Sequence, residues 1–395
     1  MGSYLDAIPL SGITRIRDLM YSVTDPYRLD QGDMSFEVPD AVKAGMVKAI
    51  AENRTHYVQT AGVPRLLELL ADKMRAANGI PIGESGELMV GNGGLHVFYV
   101  VGQALFEPGD EVLIPDPVWP PAVGSLKMAG AVPVRVPLHE SRGWRYDLDE
   151  LERAVTTKTR AVYVNTPHNP TGGMLTRDDL DRIAAIARAR DLWVISDEAY
   201  EDVTFDAAHV SIASLPDMYA RTIPMYTFSK SYAMTGLRLG YAAIANAALR
   251  ERAKKVLFYT TGNVNSVVQF GAIGALEAPA DHVAAFRNEL RARRDLFYAG
   301  LRAIPGEPFT GAPPPGAFYA FPRINPAAVP PGPADRSLSW ALTEHLIKAG
   351  RIGSVPGVDF GQVGEGYVRF CLARERSELL GALDSMTRVF SALAG

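Results

Sequence analysis

The chain has 395 residues, of which 47% are hydrophobic and 21% charged, with a formal net charge of −4 at pH 7. This composition predicts a globular protein with one large domain or two domains sharing a core. The absence of a basic run argues against nucleic acid or anionic membrane as a partner. One cysteine, an N-terminus without a signal-peptide core and no apolar run long enough to cross a bilayer favour a soluble cytoplasmic protein.

Short apolar runs alternate with helical patterns through the middle of the chain. Between residues 175 and 191, Leu180 and Ile183 follow helical spacing, and Thr176 with Asp179 resembles a capping box. This rhythm predicts an α/β fold with an open, mostly parallel sheet covered by helices on both faces. Ligands then bind beyond the carboxyl ends of the strands. The predicted buried strands are "EVLIP" (111–115), "RAVYVN" (160–165), "LWVIS" (192–196) and "PMYTF" (224–228).

The pattern changes near residue 290. A helical stretch gives way to segments rich in Pro and Gly, and "YVRFCLA" (367–373) reads as another strand. We therefore predict a large domain over residues 41–287. A smaller α+β domain is predicted over 288–395, joined by an N-terminal segment, 1–40, that covers the site.

Candidate ligand-binding residues follow the early strands. Gly91, Gly93 and Gly94 lie between the strand-like "ELMV" and a helical run, where backbone N–H groups can approach a phosphate. A merely tight turn or a dinucleotide-binding loop would explain the same glycines. Trp119 follows the next strand and could stack on a flat ligand, although, taken alone, a core or rim tryptophan is the simpler explanation.

The later strands are followed by polar residues that could contact the same ligand. "YVNTPHNPTGG" places His168 and Asn169 after one strand; a turn explains Asn169 by itself, and packing explains His168. Asp197 follows the next strand, either as a helix cap or as the partner of a buried cation, with Tyr200 three residues on. Lys230 follows the last strand among hydroxyl and small side chains, where the pKa of an ammonium group is easily shifted.

Taken together, these residues suit a planar pyridine aldehyde that carries a phosphate. The aldehyde needs an amine, the ring nitrogen a carboxylate, the ring face an aromatic side chain, and the phosphate N–H groups, hydroxyls and arginine.

The motifs "NTPHNPTGG", "SDEAYEDV", "TFSKSYAMTGLRLGY", "PPGAFYAFP" and "GYVRFCLA" resemble those of the class I/II aminotransferases, fold-type I enzymes that use pyridoxal 5′-phosphate. The resemblance implies that Lys230 is the Schiff-base lysine and that Asp197 pairs with the ring nitrogen. It further implies that Asn169 and Tyr200 contact the phenolic oxygen and that Trp119 stacks on the ring and lies beside the substrate. The phosphate would be held by Gly93, Gly94, Leu95 through its backbone N–H, Thr227 and Arg238.

The same resemblance implies a homodimer in which Tyr57 reaches the phosphate of the other subunit. Arg369 would bind the substrate α-carboxylate together with Asn169, and Gly32 would lie over the substrate. Leu95 stands where the family often has a polar residue, so one phosphate contact is lost or moves to Asn92. Arg15 is a possible reader of the substrate side chain, with a surface salt bridge as its alternative. Tyr4, Ile13, Phe36 and Tyr232 favour an apolar or aromatic substrate over aspartate.

We therefore predict an aminotransferase of amino-acid metabolism that acts on an L-amino acid and a 2-oxo acid with ping-pong kinetics, without a metal. The same cofactor site could instead run an elimination, a ring closure or an oxidation. Two rivals come from other classes. The first is a ligand-sensing module of a transcription regulator, which is disfavoured because we expect the chain to have no room for a DNA-binding domain. The second is a nucleotide-dependent oxidoreductase, which would leave Lys230, Asp197 and Arg369 unexplained.

Overall fold

The protein is described by a computed structural model that covers residues 6, 8, 11–330 and 337–394. Its helices are α1 (Gly12–Tyr21), α2 (Asp40–Ala51), α3 (Pro64–Asn78), α4 (Gly94–Leu105), α5 (Pro120–Met128), α6 (Leu148–Arg153), α7 (Arg177–Ala189), α8 (Phe228–Ser231), α9 (Ala247–Thr261), α10 (Ser266–Glu277), α11 (Asp281–Ala303), α12 (Leu338–Gly350) and α13 (Arg376–Ala394). Its strands are β1 (Leu88–Gly91), β2 (Glu111–Asp116), β3 (Val132–His139), β4 (Arg145–Tyr146), β5 (Thr159–Asn165), β6 (Trp193–Asp197), β7 (Thr222–Thr227), β8 (Gly240–Ala243), β9 (Phe309–Thr310), β10 (Tyr319–Ala320), β11 (Arg323–Ile324), β12 (Val355–Pro356) and β13 (Val368–Cys371).

Eight strands form the central sheet, in the order β1-β8-β7-β6-β5-β2-β3-β4. The five strands from β7 to β3 pair in parallel, while β8 is antiparallel to both neighbours and β4 is antiparallel to β3. The predicted α/β class with a mostly parallel sheet is confirmed. Separate apolar clusters pack against the sheet, with α4 and α9 in one and α7 in another.

The predicted strands of the sheet are confirmed with shifts of one or two residues at their ends. Each is almost wholly buried, since a strand covered by helices on both faces needs apolar side chains on both. The predicted capping box is also present. The Thr176 hydroxyl accepts from the Asp179 N–H at 3.2 Å, and the Asp179 carboxylate accepts from the Thr176 N–H at 2.8 Å, which starts α7 at Arg177.

Strand register brings the predicted binding residues to one edge of the sheet. Asn165 and Asp197 are direct partners at the carboxyl ends of β5 and β6. On the other side of β7, Gly240 pairs with both Gly91 and Thr227. The glycine turn before α4 therefore lies beside the end of β7, although more than 130 residues of chain separate them.

The C-terminal part of the chain contains a second, three-stranded sheet, β10-β13-β12, with helices packed against it. Its core cluster combines side chains of α11, α12 and α13 with Leu29 from the N-terminal segment. Helix α11 runs without interruption through residue 288, so the boundary placed there stays a prediction. Among the described residues, no helix combines the length and apolar character needed to cross a bilayer.

Candidate active site

A cavity of about 850 Å³ lies at the carboxyl ends of β5, β6 and β7. Most of the predicted site residues open into this one space, as the rule for parallel sheets requires. Those that line it are Gly32, Gly94, Leu95, Trp119, Asn169, Asp197, Tyr200, Thr227, Lys230, Arg238 and Arg369.

Lys230 lies on the single helical turn α8, which directly follows β7. Thr227 starts this turn, because its hydroxyl accepts a hydrogen bond from the Ser229 N–H at 3.1 Å. The Lys230 amine donates to the Gly32 carbonyl at 2.6 Å and lies 5.2 Å from the ring centroid of Phe318. Burial lowers the pKa of Lys230 to about 8, and nearby Arg369 and Arg238 act in the same direction. At pH 7 this side chain is therefore still mostly protonated, but about a tenth of it is a neutral amine, far more than for an unperturbed lysine.

Asp197 ends β6 and presents its carboxylate to the cavity. The Tyr163 hydroxyl donates to its Oδ2 at 2.7 Å, and the Ala199 N–H donates to its Oδ1 at 3.2 Å. Burial raises the pKa of Asp197 above its usual value, whereas these two hydrogen bonds favour the ionised form. A cationic ligand group beside the carboxylate would stabilise that charge further.

The adjacent acid, Glu198, faces away from the cavity into a buried network. It accepts hydrogen bonds from the hydroxyls of Ser211 at 2.6 Å and Tyr226 at 2.7 Å, and it pairs with His209 at 2.8 Å. Burial opposes ionisation of Glu198, but His209 and the hydroxyls hold its pKa below the usual value. The two neighbouring carboxylates thus have different partners, and only Asp197 is available to a ligand.

A cluster of hydrogen-bond donors forms where α4 begins. Gly93, at φ +83°, is the N-cap of α4, and a Cβ added there would lie 2.8 Å from Cζ of Arg238. Arg238 itself adopts a left-handed backbone conformation, φ +56°, which costs a non-glycine residue about 1 kcal/mol or more. A Cβ on Gly240 would lie 2.7 Å from the Gly94 nitrogen. Glycines therefore let the helix N-terminus, the Thr227 hydroxyl and the Arg238 guanidinium converge.

A second cluster joins the two parts of the chain across the cavity. Arg369, only 2% exposed, donates to Oδ1 of Asn169 at 3.1 Å and to the Asp30 carbonyl at 2.7 Å. The hydroxyls of Tyr200 and Tyr319 are hydrogen-bonded at 2.9 Å, and the Arg369 guanidinium lies 4.5 Å from the Tyr319 ring centroid. Among the described residues, Arg369 Nε is buried without an acceptor. An anionic ligand would satisfy this donor.

Several candidates from the sequence lie elsewhere. Tyr57 is 96% exposed and does not line the cavity. His168 is buried outside the cavity lining, where burial lowers its pKa to about 3 and keeps it neutral; the packing interpretation is the one observed. Arg15 is 3.8 Å from Glu344 on the surface, as its alternative predicted. Asn92, Phe36 and Tyr232 do not line the cavity either, and Tyr4 lies outside the described residues.

The sequence analysis missed Tyr163, which holds the Asp197 carboxylate from outside the cavity lining, and two residues that line the cavity. Tyr163 could have been found, because it precedes Asn165 by two residues and strand side chains at i and i+2 share a face. Tyr319 lies in the motif "PPGAFYAFP", but its place in the site was not assigned, since it meets Tyr200 across 119 residues of chain. Arg17 also lines the cavity, two positions from Arg15, which the sequence analysis had considered as a possible reader of the substrate side chain.

The lining of the cavity is electropositive. Within the described part of the chain, its charged side chains are the cations Arg17, Lys230, Arg238 and Arg369 and the anions Asp33 and Asp197. Asp33 accepts a hydrogen bond from the Thr235 hydroxyl at 2.6 Å. Such a balance favours a ligand with more than one negative group. An amine with a lowered pKa, a buried carboxylate and two separate anion-binding positions are thus present together.

Comparison with known proteins agrees with this geometry. Residues 24–385 match the family model described as aminotransferase class I and II. An aspartate aminotransferase of Pyrococcus abyssi is 36% identical over 98% of both chains. An aromatic-amino-acid aminotransferase 2 of Thermococcus litoralis is 36% identical over 98% of this chain and 97% of its own.

Solved structures show the same similarity in three dimensions. An aromatic aminotransferase from Pyrococcus horikoshii superposes with a TM-score of 0.87 at 36% identity, covering 95% of this chain and 99% of the other. An aspartate aminotransferase from Thermus thermophilus with maleate superposes with a TM-score of 0.90 at 30% identity, covering 98% of this chain and 99% of the other. Both relatives therefore share the whole architecture.

Proposed function

The chain belongs to the class I and II aminotransferases and is an enzyme that transfers amino groups, and from this premise we propose that it works with pyridoxal 5′-phosphate held by the residues around Lys230. The observation that carries the proposal is that the Lys230 amine, the Asp197 carboxylate and the donor cluster at α4 open into one cavity. When bound, the cofactor supplies an aldehyde that accepts the substrate amine and a ring that withdraws electrons from the substrate Cα.

The donor cluster at the start of α4 suits the cofactor phosphate. Backbone N–H groups at Gly94 and Leu95, the Thr227 hydroxyl and the Arg238 guanidinium would hold it, and the helix dipole favours a negative charge there. Because any side chain at Gly93 would occupy the position of the guanidinium, this cradle depends on a glycine. The cradle supports a phosphate rather than a neutral ligand group.

Lys230 would move the proton of the substrate Cα. Its lowered pKa, about 8, allows Nζ to accept a proton near neutral pH and to release it again, which an unperturbed lysine does poorly. Asp197 would keep a negative charge in the site, where the hydroxyl of Tyr163 and the N–H of Ala199 already favour the ionised carboxylate.

Arg369 would bind the substrate α-carboxylate. Its guanidinium can pair with both carboxylate oxygens, and the incoming anion would supply the acceptor that buried Nε lacks among the described residues. Asn169, which accepts from Arg369 at 3.1 Å, and the nearby Tyr200 hydroxyl would orient the substrate beside Lys230. Trp119 and Gly32 would close the two sides of the site.

The test is transamination by the purified holoenzyme. We expect 2-oxo acid products from aspartate, glutamate, phenylalanine or leucine only when a 2-oxo acid acceptor is present, with parallel double-reciprocal plots that indicate a ping-pong mechanism. Mass spectrometry of the products is the measurement. Equal product formation without the acceptor would instead show that the same site runs an elimination, a ring closure or an oxidation.

We also propose that the enzyme is a homodimer that shares its active sites. Tyr57 is 96% exposed in the single chain, and Val47 and Ile50 on α2 and Phe258 and Tyr259 on α9 are exposed as well. Covering apolar side chains of this kind with a second copy of the chain removes them from water, which stabilises the dimer. Light scattering should give twice the 42.8 kDa mass of one chain. A fully active species of single-chain mass would contradict the proposal.

A further inference from the structure

Helix α1 forms one wall of the cavity with a single face. Ser11 caps the helix by accepting a hydrogen bond from the Ile13 N–H at 3.2 Å, and Ile16 and Met20 are buried in one apolar cluster with Ile347 of α12. The neighbouring face consists of residues spaced by four along the helix, so their side chains lie one above another. These are Ile13, Arg17 and Tyr21, and all three line the cavity.

Arg17 is the one cation of the cavity lining, within the described residues, that the proposed chemistry does not use. Lys230, Arg238 and Arg369 have proposed partners in the aldehyde, the phosphate and the α-carboxylate. The Arg17 guanidinium pairs with its neighbour Asp18 through Nε and Nη2, both at 3.2 Å. The two side chains are 44% and 61% exposed, and an ion pair of this kind contributes little to stability.

Arg28, a second arginine close to this face of α1, already has a strong partner. Arg28 donates through Nε and Nη2 to the two carboxylate oxygens of buried Asp30, at 2.9 and 3.0 Å. Its guanidinium also lies 5.1 Å from the ring centroid of Tyr21. A ligand would have to break this bidentate pair to use Arg28, whereas Arg17 can exchange an exposed carboxylate for another at low cost.

We propose that Arg17 binds the side-chain carboxylate of acidic substrates, and that the same helix face accepts uncharged side chains through Ile13 and Tyr21. This inference rests on the proposed function. With an acidic substrate, the guanidinium exchanges Asp18 for the substrate carboxylate. With an apolar or aromatic substrate, it stays paired with Asp18, so that no charge is left unpaired beside the ligand. One cavity thereby serves both substrate classes.

The test compares Arg17→Gln with Arg15→Gln, a control on the same helix. Arg15 is 65% exposed, lies 4.4 Å from the Trp340 ring centroid and does not line the cavity. Arg17→Gln should lower kcat/KM for glutamate and aspartate about 10- to 100-fold and change that for leucine and phenylalanine less than about twofold. Arg15→Gln should leave kcat/KM unchanged for both substrate classes. Asp18→Asn should raise kcat/KM for the acidic substrates, because it removes the competing carboxylate.

Binding without turnover provides an independent readout. Calorimetry on the holoenzyme should show that Arg17→Gln weakens the binding of glutarate about tenfold. The affinity for pentanoate, which lacks the second carboxylate, should stay unchanged. An equal loss for all substrates, an unchanged ratio between acidic and apolar substrates, or a wild-type enzyme inactive on acidic substrates would overturn the inference. A wild-type enzyme that transaminates no amino acid at all would instead overturn the proposed function.

Discussion

Replacing Lys230 with alanine is expected to lower the rate of amino transfer by at least about 10⁴-fold, the upper range for loss of a general acid–base group. The loss should be this large because one amine would both hold the cofactor covalently and carry the substrate Cα proton. The described part of the cavity lining contains no second amine that could replace it. Among the described lining residues, the other cations are arginines, whose guanidinium groups remain protonated at any working pH.

Borohydride reduction followed by mass spectrometry measures the covalent link directly. In the wild type the peptide containing residue 230 should gain the mass of the reduced cofactor, and in Lys230→Ala it should not. Lys254→Ala is the matched control, since Lys254 is on the surface of α9 and pairs with Glu251 at 2.9 Å. Near-normal transamination by Lys230→Ala would show that another group does this work.

The change Asp197→Asn is expected to lower turnover about 10³-fold while leaving the cofactor bound. Asparagine keeps the size of the side chain but removes its negative charge from the cavity that also contains Lys230. The ring nitrogen would then lose the partner that keeps it protonated, so the negative charge that develops at the substrate Cα would be less stabilised. Loss of a charge-stabilising group in a buried site typically has effects of this size.

A graded variant separates charge from geometry. Tyr163→Phe removes the 2.7 Å hydrogen bond to Asp197 and keeps the carboxylate, so it should cost only about 10-fold in turnover. Single-turnover kinetics of both variants, with cofactor content followed by absorbance, are the measurements. If Asp197→Asn stayed within tenfold of the wild type, the proposed role of this carboxylate would be wrong.

Four of the eight strands of the central sheet were predicted because their signals are local. Buried parallel strands need side chains that are apolar on both faces, so β2, β5, β6 and β7 read as short apolar runs. The start of α7 was equally clear, since the capping box is formed by residues three positions apart. Asp197, Thr227 and Lys230 could then be located by their position after each strand.

The wall that faces the substrate side chain was not predictable in the same way. The sequence analysis considered Arg15 as a possible reader of the substrate side chain, with a surface salt bridge as its alternative, and did not consider Arg17, which lines the cavity. Residues two apart on an α-helix point in nearly opposite directions, and which of them faces the cavity depends on how the helix packs. Here Ile16 and Met20 pack against α12, which turns Arg17 inward and leaves Arg15 on the surface.

The sequence by itself determined the fold class, the family and the residues that end the strands, because each is encoded within a few neighbouring positions. The tertiary structure alone decided that Lys230 meets Gly32 across 198 residues, that Arg369 meets Asp30 across 339, and that Tyr200 meets Tyr319. These contacts depend on how the N-terminal and C-terminal segments pack over the sheet. Such packing is set by the summed burial of many side chains, which no short motif records.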